Sequence, residues 1–345
     1  MSMQDRINAT MARIDTTRAS ARALGLEYEI GWQWNSADTA QRLKDASGVE
    51  VLDAGYTHGR TDVWKVVFDR SLVFQWGGYT GHELVSPKLE GRDALVKVGR
   101  MVAAIENMGR DVDVNKTCGH HVHFNASDLT AVHVGKISAA FYVYEEAFDL
   151  LMPPSRQANR NKQFLRSHRA TCNGDEASVI RRIKAATSID DVIDVICPDV
   201  PNDREYKGKR YYKLNLTNAS TRYRAPGRNF WTIEFRQHSA TKEALKSVNW
   251  IRLLDHFVEK FRGGMLYVSP LPSQMTPAQK LQHLFQALRL PRDLQEFWWN
   301  RAVNLDENPD RNAARRAVRI DTVERRRGFQ GVLDSILNIR PATAR

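Results

Sequence analysis

Asn229-Phe-Trp-Thr-Ile-Glu-Phe-Arg-Gln-His238 is the stretch on which the reading of this chain turns. As a strand it alternates. Trp231, Ile233 and Phe235 point one way, and Thr232, Glu234, Arg236 and His238 point the other. One face is a strip of core. The other carries a carboxylate, a guanidinium and an imidazole in a row, a set of groups that a merely solvated face seldom combines.

Other segments divide in the same way. In Gly25-Leu-Glu-Tyr-Glu-Ile30, Leu26, Tyr28 and Ile30 share one face and Glu27 and Glu29 the other. Two carboxylates at i and i+2 repel each other unless a cation lies between them. Glu83 lies on a short strand that Pro87 terminates. Cys118-Gly-His-His-Val-His-Phe-Asn125 places His121 and His123 on one face, opposite Val122 and Phe124, with His120 on the apolar side. Arg210-Tyr-Tyr-Lys-Leu-Asn-Leu-Thr217 sets Lys213 and Asn215 against Leu214 and Leu216. Any one of these polar faces alone is ordinary for a half-buried strand. Their recurrence is what points to a site.

Between these strands, Val63–Phe68 and Ser71–Trp76 read as a hairpin turning at Asp69-Arg70. Helices are expected over 37–44, 91–108, 128–152 (stopped by Pro153-Pro154), 175–187, 188–195, 241–261, from Thr276 onward, and over 293–304. Residues 1–23 read as an N-terminal arm or helix, and 306–345 as an Arg-rich extension ending in an amphipathic piece, 332–339. The basic loop after Pro154 offers Arg156, Arg160 and Lys162 to a phosphate. The expected fold is therefore α+β: an antiparallel sheet, curved around a cleft, with helices packed on its outer face.

The totals exclude other classes. The chain has 345 residues, 42% hydrophobic, with eight Trp, enough for a sizeable core. No apolar run is long enough to cross a membrane, and the N-terminus lacks a secretory core. Three widely spaced cysteines argue against a disulfide framework or a cysteine zinc site and make a reducing cytoplasm the expectation. The net charge is +11, and residues 311–345 supply more than half of it, with nine Arg against three acidic residues. That tail has a single aromatic, Phe329, so it is a poor platform for single strands, and nucleic acid is not the expected primary partner.

Mixed Glu and His groups without Cys suit a hard or borderline ion, Mg²⁺ or Mn²⁺ rather than a structural zinc. Arg and Lys beside such a cluster suggest a polyphosphate, with Lys213 and Asn215 among the groups that would face it. Neither GxxxxGK[ST] nor GxGxxG occurs, so a nucleotide would be held by metal and basic side chains.

Gly-Leu-Glu27-Tyr-Glu29, Glu83-Leu-Val-Ser-Pro87, Cys118-Gly-His-His121-Val-His123, and Thr-Ile-Glu234-Phe-Arg236 followed by Asn249-Trp250 together resemble the ordered motifs of the amidoligase family. That family is related to the glutamine synthetase and glutamate–cysteine ligase superfamily of carboxylate–amine ligases. The resemblance spans roughly residues 24–260 and implies a glutamine synthetase-like half barrel as the core of a catalytic domain over 24–305. It implies Glu27, Glu29, Glu83 and Glu234 as metal carboxylates, with His121 or His123 completing a metal site or contacting phosphates. It implies Arg236 at the transferring phosphoryl group, with Glu234 and Glu83 beside it as catalytic residues, and Arg156 as a further nucleotide contact. The implied cofactors are ATP and Mg²⁺, with Mn²⁺ as a substitute. The implied reaction joins a small-molecule or peptide carboxylate to an amine through an acyl phosphate. His82, His120 and the charged loop after Pro154 depart from the family pattern, and the tail lies outside it. Acid, amine and oligomeric state stay open.

Two other readings use the same residues. A metal-dependent hydrolase would employ the carboxylates and the His-x-His strand, with bound zinc and no response to nucleotide. A basic nucleic-acid-binding or scaffold protein would rest on the Arg-rich tail, with salt-dependent binding.

Overall fold

The computed structural model describes residues 1–17, 21–55, 59, 62–75, 78–157, 164–199, 208–227 and 230–307. Helix α1 (Met3–Met11) opens on a Ser2 capping box with Asp5. Strand β1 (Leu24–Trp32) follows, then α2 (Ser36–Ser47), capped by Asn35 and ended by Gly48 in the left-handed region at φ 70°. Strands β2 (Val51–Asp53), β3 (Trp64–Phe68) and β4 (Thr80–Val85) lead into α3 (Ala94–Asn107). Strands β5 (Val112–Asp113) and β6 (His120–Asn125) precede the long α4 (Ala131–Leu150). Short helices α5 (His168–Thr171), α6 (Glu176–Ala185) and α7 (Ile189–Ile196) come before β7 (Leu214–Asn215) and β8 (Thr232–Phe235). Helices α8 (Ala244–Gly263), α9 (Pro277–Leu288) and α10 (Arg292–Glu307) complete the described chain.

The described strands form one open sheet in the order β2-β3-β4-β1-β6-β8-β7, with β5 beside β6 on the same edge of β1. Every pairing is antiparallel except β2 with β3. The expected α+β architecture therefore forms, with one parallel pair that the alternation did not announce. Leu26, Tyr28, Ile30, Leu84, Val122, Phe124, Ile233 and Phe235 belong to one continuous core with α3, α4 and α8. Phe235 lies against Phe124, Phe141 and Phe257 at ring-centroid distances of 6.1, 5.9 and 6.1 Å, in edge-on packing. Helix α1 packs on α3 and buries Ile7. Arg22, just before β1, is clamped by Asp128 and Glu259.

Several local expectations are corrected. Residues 71–75 are not a strand, because β4 occupies the edge of β3 that a hairpin would use. Phe74 instead lays its ring over Gly31, and Leu72 sits on Gly81, positions where a Cβ would fall within 2.4 and 2.5 Å of those side chains. The expected strand at 210–217 shrinks to Leu214–Asn215, flanked by 3-10 turns over Lys209–Tyr211 and Thr217–Ala219. Arg160, Lys162 and the Arg-rich extension from 308 lie outside the described residues. Among the described residues no helix is long and apolar enough to cross a membrane.

The core holds imidazoles that favour the neutral form. Burial pushes the His120 ring down to about 3, and lowers His168 and, further still, His238. The unfolded chain binds those protons near pH 6.5, so stability falls as pH drops through that value, by up to about 1.4 kcal/mol per pH unit for each group. His123, raised above its ordinary value by Glu27 and Glu234 despite burial, and Glu83, pushed up by burial and the Glu27 and Glu29 carboxylates, work in the opposite direction but are outnumbered. Thermal unfolding measured from pH 7.5 to 5 is expected to show a steady loss of Tm. A flat profile would mean that these rings are hydrated.

Candidate active site

Strand register gathers the polar groups. Cross-strand partners share a face, and the pairs are Glu29 with Glu83, Glu27 with His121, His123 with Glu234, and Glu234 with Asn215. Five strands thus place their polar residues on the side of the sheet away from the helices. A slip of one residue in any pairing would send its members to the core.

At the centre, Glu27, His123 and Glu234 each offer one ligand atom, all within 4.8 Å of one another. His123 Nε2 lies 3.1 Å from Glu27 Oε1 and 3.8 Å from Glu234 Oε1. His121 Nδ1 is 3.0 Å from Glu27 Oε2 and 3.5 Å from Glu234 Oε1, and its Nε2 is 3.7 Å from Glu29 Oε1. Arg236 Nη1 donates to Glu234 Oε1 at 2.5 Å, and Asn215 Nδ2 donates to Glu234 Oε2 at 2.6 Å. Two carboxylates and an imidazole, oxygen-rich and free of thiolate, are a donor set that fits Mg²⁺ or Mn²⁺.

The carboxylates have unequal electrostatics. Burial pushes Glu27 up, but His123 and His121 outweigh it and hold its carboxyl well below the usual range. Glu234 is lowered in the same way, against burial, chiefly by Arg236 and then His123. Glu83 has no such compensation. Burial, then the Glu27 and Glu29 carboxylates, push it well above the usual range.

At one end of this face lie Arg156 and Arg236. Arg156 is 4% exposed, and its Nη2 stands 4.0 Å from Glu29 Oε2. Arg156 Nε and Nη2 and Arg236 Nε are buried donors without a hydrogen-bond partner among the described residues. Buried N–H groups are nearly always paired, so three orphans at one end of a cleft fit an anionic ligand such as a phosphoryl group. Gly119 makes room for them. A Cβ there would lie 2.5 Å from Arg156 Nη2, 2.6 Å from His121 Nε2 and 3.1 Å from Glu29 Oε2. Gly119→Ala is therefore expected to destabilise by about 1–3 kcal/mol and to spread these groups apart. Denaturant unfolding measures the first effect, and Mn²⁺ titration the second. Wild-type values in both would show that the cradle is loose.

At the other end is a cavity of about 400 Å³. Glu27, Glu83, Lys65 and His123 form its floor near the cluster, and Val85, Pro87, Phe230 and Trp231 are among its apolar walls. The Arg224 guanidinium stacks 3.9 Å from the Trp231 ring centroid.

Of the residues singled out from sequence, Glu27, Glu29, Glu83, His121, His123, Asn215, Glu234, Arg236 and Arg156 come together here. Lys213 does not. Its ammonium is fully buried and pairs with Glu145 at 2.8 Å and Asp149 at 2.5 Å on α4, so its charge is already neutralised away from the cleft. His238 is also corrected. The strand ends at Phe235, and the ring packs among Trp250, Trp298 and His120. Trp231 precedes the strand and walls the cavity instead of joining the core. Two residues were missed. Lys65 is 3% exposed in β3 and feels Glu83 and Glu27; burial lowers it despite them. Its signal was the alternation of Lys65 and Val67 against Trp64 and Val66. Gly119 gives no such signal, since in the sequence it is one residue of the strand expected over 118–125.

An open, largely antiparallel sheet bearing clustered carboxylates, imidazoles and guanidinium groups defines the class of protein. Residues 20–258 match the family described as "Putative amidoligase enzyme", and the chain belongs to that family. A solved structure described as "Crystal structure of novel glutamine synthase homolog" is similar at 14% identity, over 89% of this chain and 70% of that one, with a TM-score of 0.36. No curated protein matches the sequence.

Proposed function

We propose that the protein is an ATP-dependent carboxylate–amine ligase that forms an amide or isopeptide bond through an acyl phosphate. The observation that carries this reading is the juxtaposition of the Glu27–His123–Glu234 cluster with buried, unpartnered guanidinium donors of Arg156 and Arg236. Phosphoryl transfer spreads negative charge over oxygens, and charge-assisted donors aimed at them are what a protein can contribute.

Glu27, Glu29, Glu83, His123 and Glu234 would hold divalent ions, Mg²⁺ or Mn²⁺. Such ions, when bound, neutralise phosphate oxygens and polarise the transferring group. Arg236, oriented by Glu234, and Arg156 donate to the phosphoryl oxygens. His121 bridges Glu27 and Glu29 and fixes their spacing. Trp231 and Phe230 offer a stacking wall in the adjacent cavity for the nucleoside part of ATP. The acid's carboxylate oxygen attacks the γ-phosphorus as the bond to ADP breaks. An amine then attacks the acyl carbon and phosphate leaves. The substrates are small-molecule or peptide acids and amines. Three buried cysteines, none in a disulfide, suit a reducing cytoplasm.

The test is thermal unfolding with ATP and Mg²⁺ or Mn²⁺, followed by phosphate release over pools of amino acids and γ-glutamyl peptides. Stabilisation by nucleotide only with the metal, and release only with an acid and an amine together, is expected. A protein that neither binds nor turns over ATP with either metal is not this ligase. Tightly held zinc with no nucleotide response would favour a hydrolase.

A further inference from the structure

Arg236 is held from behind by a buried charge network outside the cleft. Its backbone N–H donates to the Lys213 carbonyl at 2.8 Å. Lys213 Nζ contacts Asp149 Oδ1 at 2.5 Å and Glu145 Oε1 at 2.8 Å, and the Lys213 and Glu145 side chains are at most 1% exposed. Gln237, the residue after Arg236, donates its Nε2 to the same Asp149 Oδ1 at 2.5 Å. One carboxylate near the end of α4 therefore grips both the residue that follows Arg236 and the residue that accepts its N–H. Two positions beyond Lys213, Asn215 bonds the other oxygen of Glu234.

A buried ion pair is costly to assemble and seldom repays its desolvation as stability, so its retention calls for another reason. Here that reason is geometric. β8 ends at Phe235, so Arg236 and Gln237 lie just beyond regular pairing, where the strand alone does not fix a guanidinium. Site groups must be held to a fraction of an ångström by neighbours whose own positions are locked.

We propose that Asp149 is a positioning residue: through Lys213 and Gln237 it locks the backbone at Arg236, and so aims the Arg236 guanidinium at the phosphoryl group of the bound nucleotide. This rests on the phosphoryl-binding role given to Arg236 above.

The experiment is calorimetric titration of the full-length protein with the non-hydrolysable ATP analogue AMP-PNP and Mg²⁺. It compares Arg236→Ala, Asp149→Ala, Gln237→Leu and the double variant Asp149→Ala with Arg236→Ala. Gln237→Leu puts an apolar side chain of similar bulk at a buried position, and among the described residues Gln237 Oε1 has no hydrogen-bond partner to lose, so this variant keeps the proposal testable if Asp149→Ala lowers stability. Arg236→Ala is expected to weaken AMP-PNP. Asp149→Ala and Gln237→Leu are each expected to weaken it roughly tenfold. The double variant should bind no more weakly than Arg236→Ala alone, because Asp149 acts only through the arginine. If Arg236→Ala weakens binding but Gln237→Leu and Asp149→Ala do not, or if the double variant's loss is the full sum, the positioning role is wrong. If Arg236→Ala itself binds AMP-PNP normally, the phosphoryl role of Arg236 is wrong, and the proposal falls with it.

Discussion

Glu234→Gln is expected to abolish turnover and, at the same time, to destabilise the metal-free protein. The Glu234 carboxylate is 3% exposed and accepts from Arg236 on one oxygen and Asn215 on the other. An amide has one acceptor and one donor end, so one of those two contacts becomes donor against donor. The half-buried Arg236 also loses the carboxylate it pairs with at 2.5 Å, and removing one partner of a pair whose carboxylate is buried costs about 3 kcal/mol. The same change takes an anionic ligand from the Glu27–His123–Glu234 group and lets Arg236 swing, which removes transition-state stabilisation of about 10²–10³-fold at the least. Urea unfolding in the presence of EDTA measures the stability, and ATP-dependent phosphate release measures the chemistry. A variant with near-normal turnover would show that Glu234 serves only the fold. One as stable as the parent would show that Arg236 finds another partner.

How much of this was legible in the sequence depends on what each feature rests on. Period-two alternation is a property of the backbone, so the faces of 25–30, 120–125 and 232–236 were readable, and register then brought Glu27, His121, His123 and Glu234 together without further information. Lys213 obeyed the same alternation but pairs with Glu145 and Asp149, because no sequence pattern reveals that α4 presents two acids to it. His238 and Trp231 were misassigned because β8 is four residues long, and alternation carries no meaning beyond its ends. The lost hairpin at 71–75 is a competition: β4 pairs more extensively with β3 and β1 than residues 71–75 would. Gly119 was invisible for a different reason. Its role lies in what approaches it, and those groups come from residues 29, 121 and 156.

Glu83→Gln is expected to have the opposite effect on stability and the same effect on activity. Glu83 faces Glu29 across the sheet and lines the cavity with Glu27. Unlike Glu27 and Glu234 it has no dominant cation. Lys65 is near, but its ammonium donates to the Gly59 carbonyl. Burial and two carboxylates raise the folded value of Glu83 above the unfolded one, so ionised Glu83 destabilises the metal-free fold above its raised folded value. Removing the charge is then expected to raise Tm by a few degrees at pH 8 without metal. As pH falls through the raised folded value the parent takes up the proton itself, so the gain of the variant shrinks and vanishes in acid. Divalent metal reverses the order: the parent, which retains the carboxylate, is stabilised by Mn²⁺, and the variant much less so. Turnover falls with the lost ligand. Scanning calorimetry of both proteins at pH 8 and pH 5, with and without Mn²⁺, separates the terms. A variant that is less stable than its parent at pH 8 without metal would mean that Lys65 already satisfies Glu83, and that the cluster of carboxylates is an ion-pair network rather than a site waiting for positive charge.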